Sequence, residues 1–150
     1  MQFNVSNFLS TQAQRNPEAK AIVYSDKPNF WTPKSYSDLS FRELDLMVDA
    51  FAHQFSSMGV ERNTRVLLMV KPGLDLIQII FALLKLGAVP VVIDPGMGLG
   101  RFFECAKQSK VGMIIGGTIA ITLAKWFLRT NGCAKNAITI NAQFKRRVQK

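Results

Sequence analysis

The sequence predicts an α/β fold in which crossover helices connect the strands of a parallel sheet. Three observations lead to this prediction. From residue 66 onward, short apolar runs alternate with longer helix-forming segments, each run is apolar at nearly every position, and turn residues close each run. Strands that helices cover on both faces have this uniformly apolar composition. With 150 residues, of which 48% are hydrophobic, the chain is long enough for one domain with a buried core.

Two short elements come before the sheet. The spacing of apolar residues predicts a helix over 5–15, which Asn16 and Pro17 end, and a short strand over 21–24. Residues 25–39 contain two prolines and are predicted to be rich in turns.

A long amphipathic helix follows, and a capping box marks its start. Ser40 is the predicted N-cap, and Glu43 reaches back to it from the third helical position. Apolar residues then recur at intervals of three and four: Leu44, Met47, Val48, Phe51, Ala52, Phe55 and Met58. This spacing forms one face of a helix of about five turns, which Gly59 ends.

Four apolar runs are the predicted parallel strands: 66–70, 89–93, 112–116 and 137–140. The predicted crossover helices are 74–86, 99–109 and 118–129, with Thr118 as a possible N-cap. Crossovers between parallel strands are right-handed in almost all proteins. The helix over 74–86 is apolar nearly all round, which indicates that further layers cover it.

The net charge of +9 comes entirely from the last third of the chain. Residues 101–150 carry ten lysines and arginines and a single acid, Glu104, whereas the charges of residues 1–100 cancel. Two interpretations stay open. Either this region holds an anionic partner such as nucleic acid or a membrane surface, or its acidic complement lies on another chain or on further residues. We treat 130–150 as a basic tail of uncertain structure.

The chain is expected to be cytoplasmic and to have no transmembrane span. Its first twenty residues are too polar for a secretory signal peptide. Residues 111–124 carry no charge, but this stretch is shorter than the ~18–20 residues that a spanning helix needs. A membrane-associated protein that uses 111–128 is a third and weaker alternative.

The loop Asp94–Gly100 is the first candidate for a ligand site, because it joins a strand to a helix and contains Gly96, Gly98 and Gly100. A dinucleotide fingerprint would need a glycine at position 101 and an acid about twenty residues later. Position 101 is Arg101, and no acid follows Glu104. We therefore expect a tight turn in which glycines supply positive φ angles.

The other reactive residues form no recognisable set. His53 has no nucleophile beside it in the pattern and is predicted to be a surface or boundary residue. Cys105 and Cys133 have no second cysteine at metal-binding spacing and are predicted to be buried free thiols. The sequence therefore predicts no catalytic, cofactor-binding or metal-binding residue.

A series of motifs lies in a fixed order across residues 36–100: Ser40-Phe41-Arg42-Glu43-Leu44-Asp45, Met58-Gly59-Val60, Thr64-Arg65-Val66, Val70-Lys71-Pro72, Phe81 through Pro90, and Ile93-Asp94-Pro95-Gly96-Met97-Gly98. Their order and spacing resemble the N-terminal region of the adenylate-forming acyl ligases, the AMP-binding superfamily. The last motif is similar to the branch that includes fatty-acyl ligases and the olefin-pathway β-lactone synthetases. The resemblance implies that residues 1–150 are a partial, N-terminal AMP-binding domain.

The resemblance also implies a two-step reaction in which ATP and Mg²⁺ turn a carboxylate into an acyl-adenylate, which a second nucleophile then attacks. The family's phosphate loop, metal-binding glutamate, ribose-binding aspartate and mobile lysine have no counterpart here. We therefore expect a truncated or split relative of an ATP-dependent fatty-acyl ligase that is inactive alone and is complemented by a downstream polypeptide. The alternative is a small α/β module that binds an anionic partner through its basic last third.

Overall fold

The computed structural model describes residues 4–25, 35–118, 121–122, 136–141 and 144. Its elements, in chain order, are α1 (Ser6–Arg15), β1 (Lys20–Ser25), β2 (Tyr36–Ser40), α2 (Phe41–Ser57), β3 (Arg65–Met69), α3 (Leu74–Lys85), β4 (Val89–Val91), a 3₁₀ turn (Pro95–Met97), α4 (Leu99–Gln108), β5 (Met113–Gly116) and β6 (Asn136–Thr139). The α/β class and the alternation of strands and helices from residue 65 onward confirm the sequence prediction.

The four predicted strands form one parallel sheet in the order β4-β3-β5-β6. Val66 lies opposite Pro90 on one side and Met113 on the other, and Ile115 lies opposite Ile138. β3 and β5 are thus the inner strands, and β4 and β6 are the two edges within the described residues. The predicted strand over 89–93 is shorter than expected, because β4 ends at Val91.

Both faces of the sheet are covered, which accounts for the uniformly apolar strands. Val66, Leu68 and Ile115 pack into a core formed with α1, α2 and α3. Leu67 and Ile114 point the other way and pack against α4. From β3 to β4 the chain moves one way along the sheet with α3 on the first face, and from β4 to β5 it returns with α4 on the second. The two crossovers therefore have the same hand, as the rule for parallel strands requires.

The segment 25–39, which was predicted to be rich in turns, ends in a strand that the sequence analysis did not predict. Tyr36–Ser40 is a strand that pairs antiparallel with β1 in a separate two-stranded sheet. Its own sequence gives little sign of a strand, because Leu39 is its one buried hydrophobic residue. The strand exists because β1 supplies a pairing partner, and an exposed ion pair of 3.1 Å joins Lys20 to Asp38 across the two strands.

The start of α2 confirms the predicted capping box. The Glu43 backbone N–H donates to Ser40 Oγ at 3.2 Å, and the Ser40 backbone N–H donates to Glu43 Oε2 at 2.8 Å. The backbone hydrogen bond from Ser40 is the main cause that lowers the pKa of Glu43 below its usual value. The carboxylate is therefore ionised, as the cap requires, over a wider pH range than an unbonded glutamate.

The segment 111–124 is not a single membrane helix. Its residues 113–116 form β5, and all four are buried in the sheet. A helix begins after β5: the Ile121 backbone N–H donates to the Gly117 carbonyl at 2.9 Å, so Gly117 occupies the N-cap position that Thr118 was predicted to hold. The remainder of the predicted helix 118–129 lies outside the described residues. In the described part of the chain, no helix is long and apolar enough to cross a membrane.

Two residues of the predicted basic tail over 130–150, Ile138 of β6 and Phe144, lie in the core. Phe144 is 5% exposed, and its ring lies 5.8 Å from the rings of both Phe51 and Phe55 of α2. Its backbone N–H donates to Asn141 Oδ1 at 2.8 Å, just after β6. The chain after the last strand therefore folds back onto the first face of the sheet, at least as far as Phe144.

An ion-pair network joins the three helices on this face. Lys85 of α3 donates to Asp45 Oδ1 at 2.7 Å and also to the Asp49 carboxylate, both on α2. Ser10 of α1 donates to the same Asp45 oxygen at 3.0 Å. Burial lowers the pKa of Lys85, but the hydrogen bonds and charges of the two aspartates outweigh it, so the pKa lies above the usual 10.5. The ammonium is thus held in its charged form.

We predict that Lys85→Met destabilises the fold by about 1–3 kcal/mol, because it leaves two neighbouring carboxylates without their shared cation. Urea unfolding at pH 7 measures the loss. Since the pKa of Lys85 is raised, its contribution is complete below pH 10.5 and is lost as pH rises through the higher value.

The matched control is Lys20→Met. The ion pair of Lys20 is exposed, with side chains 67% and 43% accessible, so its loss should cost less than ~1 kcal/mol. Equal losses for the two variants would contradict the structural role of the Lys85 network.

Candidate functional site

The carboxyl edge of the parallel sheet is where this fold would place a ligand. The loops after β3, β4 and β5 all leave the sheet at this edge, because the strands are parallel. The helix after β3 packs on one face, whereas Ile121, after β5, packs on the other. β3 and β5 are neighbours, so the segments that follow these two adjacent strands leave toward opposite faces of the sheet. In open α/β sheets a crevice forms at such a point and commonly binds ligands.

Within this edge, Gly116 brings β3 and β5 together. It lies opposite Met69, and a Cβ atom at Gly116 would lie 2.8 Å from the Met69 carbonyl oxygen and 3.0 Å from Met69 Cβ. The contact with the carbonyl oxygen is closer than real Cβ atoms show, so glycine fits this spacing and a larger residue would force the strands to shift. Gly117, the next residue, has nothing within 4 Å of the corresponding position. The first glycine thus serves sheet packing, and the space beyond the strand is open.

The loop after β4 confirms the predicted tight turn, although only one of its glycines supplies a positive φ. Asp94 Oδ1 accepts a hydrogen bond of 2.8 Å from the Gly96 backbone N–H, which closes the 3₁₀ turn. Gly98 has φ +87° and reverses the chain into α4. Gly100 already lies inside α4. Asp94 therefore uses the first N–H of this loop to shape a turn.

The single histidine and the described cysteine stand apart from each other and from this edge. His53 is exposed on α2, as predicted. Cys105 is a free thiol on α4 but is only half-buried, so the prediction of a buried thiol is wrong in degree. It shares a helix with Lys107, whose neighbourhood is solvated. Cys133 lies outside the described residues. Among the residues described, no group of three His, Cys, Asp or Glu side chains could hold a metal ion.

An open cleft of about 500 Å³ lies near the amino ends of β3 and β4, between the start of α1 and the end of α3. Asn4 and Lys85 contribute polar groups to its lining. Both are engaged in the fold: Asn4 Nδ2 donates to the Leu84 carbonyl at 2.7 Å, and Lys85 binds two aspartates. The cleft therefore contains structural hydrogen bonds instead of a nucleophile with a base.

The Lys85 network is the feature that the sequence analysis missed. Asp45 and Asp49 are four residues apart on α2 and so share a helix face, which is a readable signal. The cation that joins them comes from another helix, and only the tertiary structure identifies it. The network is structural: the charged Lys85 side chain of α3 donates to two aspartates of α2 and so holds these helices together.

Comparison with known proteins gives a consistent result. The family model described as "AMP-binding enzyme" matches residues 9–147. The olefin beta-lactone synthetase of Stenotrophomonas maltophilia is 34% identical over 139 residues, which are 91% of this chain and 25% of that protein. Among solved structures, a long-chain-fatty-acid-CoA ligase from Archaeoglobus fulgidus superposes with a TM-score of 0.81 at 18% identity, over 99% of this chain and 30% of the other.

A second solved structure defines which part of such proteins the fold represents. The N-terminal domain of FACL13 from Mycobacterium tuberculosis superposes with a TM-score of 0.77 at 16% identity, covering 99% of this chain and 36% of that one. At this identity the likeness concerns the fold alone. The chain spans about a quarter of the length of the Stenotrophomonas relative.

The glycine at the end of β5 allows a sharp test of the sheet. We predict that Gly116→Ala destabilises the fold by about 1–3 kcal/mol, because the new methyl group meets backbone atoms of β3 that cannot move independently. Denaturant unfolding measures the change.

Gly117→Ala is the matched control, one residue away. It has room for a methyl group and no positive φ, so the expected cost is only that of alanine at the helix N-cap, at most about 1 kcal/mol and less than that of Gly116→Ala. Similar effects of the two substitutions would show that the strands are not packed as closely as described.

Proposed function

Because the chain belongs to the AMP-binding enzyme family, we propose that it forms the scaffold of the N-terminal domain of an ATP-dependent fatty-acyl ligase and does not catalyse alone. The observation that carries this proposal is a contrast within the chain. Its described residues build a well-packed parallel sheet with covered faces, yet no group of three His, Cys, Asp or Glu side chains among them could hold a metal ion. Catalytic groups would therefore have to come from another polypeptide or from further residues.

The names of the similar proteins support a proposal for the substrate class. The matched proteins include long-chain-fatty-acid-CoA ligases and olefin beta-lactone synthetases. We propose a fatty-acyl carboxylate as the substrate of the complete enzyme. ATP and Mg²⁺, which the resemblance to this family implies, are proposed to bind to the complete enzyme. A cytoplasmic location, where ATP is plentiful, is part of the same proposal.

We predict that the purified chain shows no ATP–pyrophosphate exchange above background with Mg²⁺ and fatty acids. Loss of even one preorganised charge-stabilising donor commonly costs ~10²–10³ in rate, and here a whole set is missing. The positive counterpart is a chimaera in which this chain replaces the matching segment of the Stenotrophomonas olefin beta-lactone synthetase. Because this chain supplies the scaffold, the chimaera should retain measurable exchange.

Two variants make the chimaera informative. Gly116→Ala should lower the exchange because it disturbs the scaffold, and Gly117→Ala should not. A chimaera that folds cooperatively but shows no exchange would contradict the scaffold role. So would exchange by the chain alone that survives repurification and disappears in Asp94→Ala.

The charge asymmetry supports a second candidate function. Arg101, Lys107 and Lys110 are exposed in the described part of the basic third, where Glu104 is the one acid. A module of this kind would hold nucleic acid or an anionic surface without sequence specificity. Retention on immobilised DNA that falls steeply between low and physiological salt would favour this function. Passage through the column without retention at either salt concentration would exclude it.

A further inference from the structure

Helix α3 is the most apolar of the four described helices, and the fold buries only part of it. Its side toward the sheet is closed, because Ile79, Ala82 and Leu83 are each 0% exposed. The opposite side carries a second row of large apolar residues, of which the first is 36% exposed and the others are half-buried: Ile77, Ile80, Phe81 and Leu84. Both sides of this helix are therefore apolar, but only one is fully packed.

The four residues of the second row form one continuous surface, which we call the α3 stripe. They occupy positions i, i+3, i+4 and i+7, which an α-helix places on one side. The two charged residues of α3, Asp75 and Lys85, do not belong to the stripe. Lys85 instead donates to Asp45 of α2. The stripe lies within residues 35–118, which the structure describes without a gap. An uncharged row with this spacing is typical of a helix that packs against a partner.

The spacing of the α3 stripe is the same in both directions along the helix. Its intervals are three, one and three residues, so its midpoint lies between Ile80 and Phe81. If a second copy of α3 packed antiparallel about a two-fold axis at this midpoint, Ile77 would face Leu84 of the second copy. Ile80 would likewise face Phe81 of the second copy. Every residue of the stripe would then have an apolar neighbour, which is the self-complementarity that a two-fold interface requires.

The open cleft at the end of α3 fits the same arrangement. It has a volume of about 500 Å³, and its lining includes Val5, Leu84 and Gly87. The two-fold axis that pairs Ile77 with Leu84 also places Leu74 of the second copy at Gly87. Because Gly87 has no side chain and the cleft beside it is open, this position can receive a leucine. The cleft therefore extends the self-complementary surface by about one helical turn at each end.

Charge favours a second copy as the occupant over a strongly charged partner. The charges of residues 1–100 cancel, so the part of the chain that carries the stripe has no net charge. Two such surfaces can approach each other without like-charge repulsion. An uncharged stripe offers no electrostatic attraction to an acidic peptide or to a nucleic acid.

We propose that the α3 stripe is the interface through which two copies of this chain form a symmetric dimer with antiparallel α3 helices. The two stripes would pack against each other, and Leu74 of each copy would enter the cleft at the end of α3 in the other. The contact would remove both stripes from water, which drives the association. This interface goes beyond the proposed function, because it requires neither a nucleotide nor an acyl ligand.

Sedimentation equilibrium of the full chain at about 1–100 µM tests the proposal. The chain should form a dimer in reversible equilibrium with the monomer, and no larger species, because a two-fold interface is closed. Ile77→Glu places a charge where the dimer would have to desolvate it, so the Kd should rise at least about tenfold. Ile77 is partly exposed in the monomer, so urea unfolding of the variant should resemble that of the parent.

The matched control is Leu46→Glu on the neighbouring helix α2. Leu46 is 63% exposed, so this substitution removes more exposed apolar surface than Ile77→Glu and leaves the stripe intact. The Kd of the control dimer should stay within about twofold of the parent value. Non-specific apolar association would instead be weakened by the control at least as much as by Ile77→Glu.

Engineered cysteines test the antiparallel arrangement without adding a charge. In a chain whose native Cys105 and Cys133 are replaced by serine, Ile77→Cys and Leu84→Cys are made separately and then mixed. Residue 77 of one copy would lie opposite residue 84 of the other, which is the arrangement that a disulfide requires. Two copies of residue 77 would be about 10 Å apart along the helix axis, which is too far. Air oxidation with copper–phenanthroline should therefore give mainly the mixed disulfide.

A monomer at every concentration, an unchanged Kd in folded Ile77→Glu, or equal yields of mixed and like disulfides would overturn the proposal. If the chain stays monomeric while Ile77→Glu, but not Leu46→Glu, abolishes exchange by the chimaera, another part of the ligase occupies the stripe, and the proposal is also wrong. If Ile77→Glu fails to fold, the yield of mixed disulfide decides alone. The proposed function fails separately, because a dimer with an inactive chimaera would keep the interface and exclude the ligase scaffold.

Discussion

The rest of the structure depends on the parallel pairing of β3 with β5. Val66 and Leu67 of β3 are fully buried but point to opposite faces, so this strand belongs to both hydrophobic cores. Burying each such side chain stabilises the fold by about 1.5–3 kcal/mol, and the helices on each face exist largely to provide this cover. The close contact between Gly116 and Met69 keeps the two strands aligned at their carboxyl ends.

Described helices cover both faces of the sheet, and its two outer strands, β4 and β6, differ. One edge ends at Pro90, whereas the other presents Ala137 and Thr139 beside an apolar cavity. Further apolar surface lies exposed around the β4 loop, where Val92 is 67% and Leu99 is 71% accessible. This exposed apolar surface fits a scaffold that additional chain joins. It also makes the isolated chain vulnerable to association.

Much of this architecture could be predicted from the sequence because short apolar runs, bounded by turn residues, mark the strands. Uniformly apolar runs indicated the parallel sheet, and Ser40 and Glu43 indicated the start of α2. The strand at Tyr36–Ser40 was missed because pairing with β1 creates it, not its own pattern. The network at Lys85 and the burial of Phe144 also depend on partners far away in the chain. Pro90 is visible in the sequence, but its position in an edge strand is known only from the order of the strands in the sheet.

Hydrogen exchange of single backbone amides in the isolated chain tests the central claim, that β6 pairs in parallel with β5 and that no described strand pairs with its other side. The account predicts slow exchange at Ile138 and Ile140, whose amides face β5, and fast exchange at Ala137 and Thr139, whose amides face outward. This alternation along one short strand cannot arise from general fraying, which would affect all four residues. Equal protection of Ala137, Ile138, Thr139 and Ile140 would contradict the claim, because it would mean that the edge is already paired or that β6 is not formed.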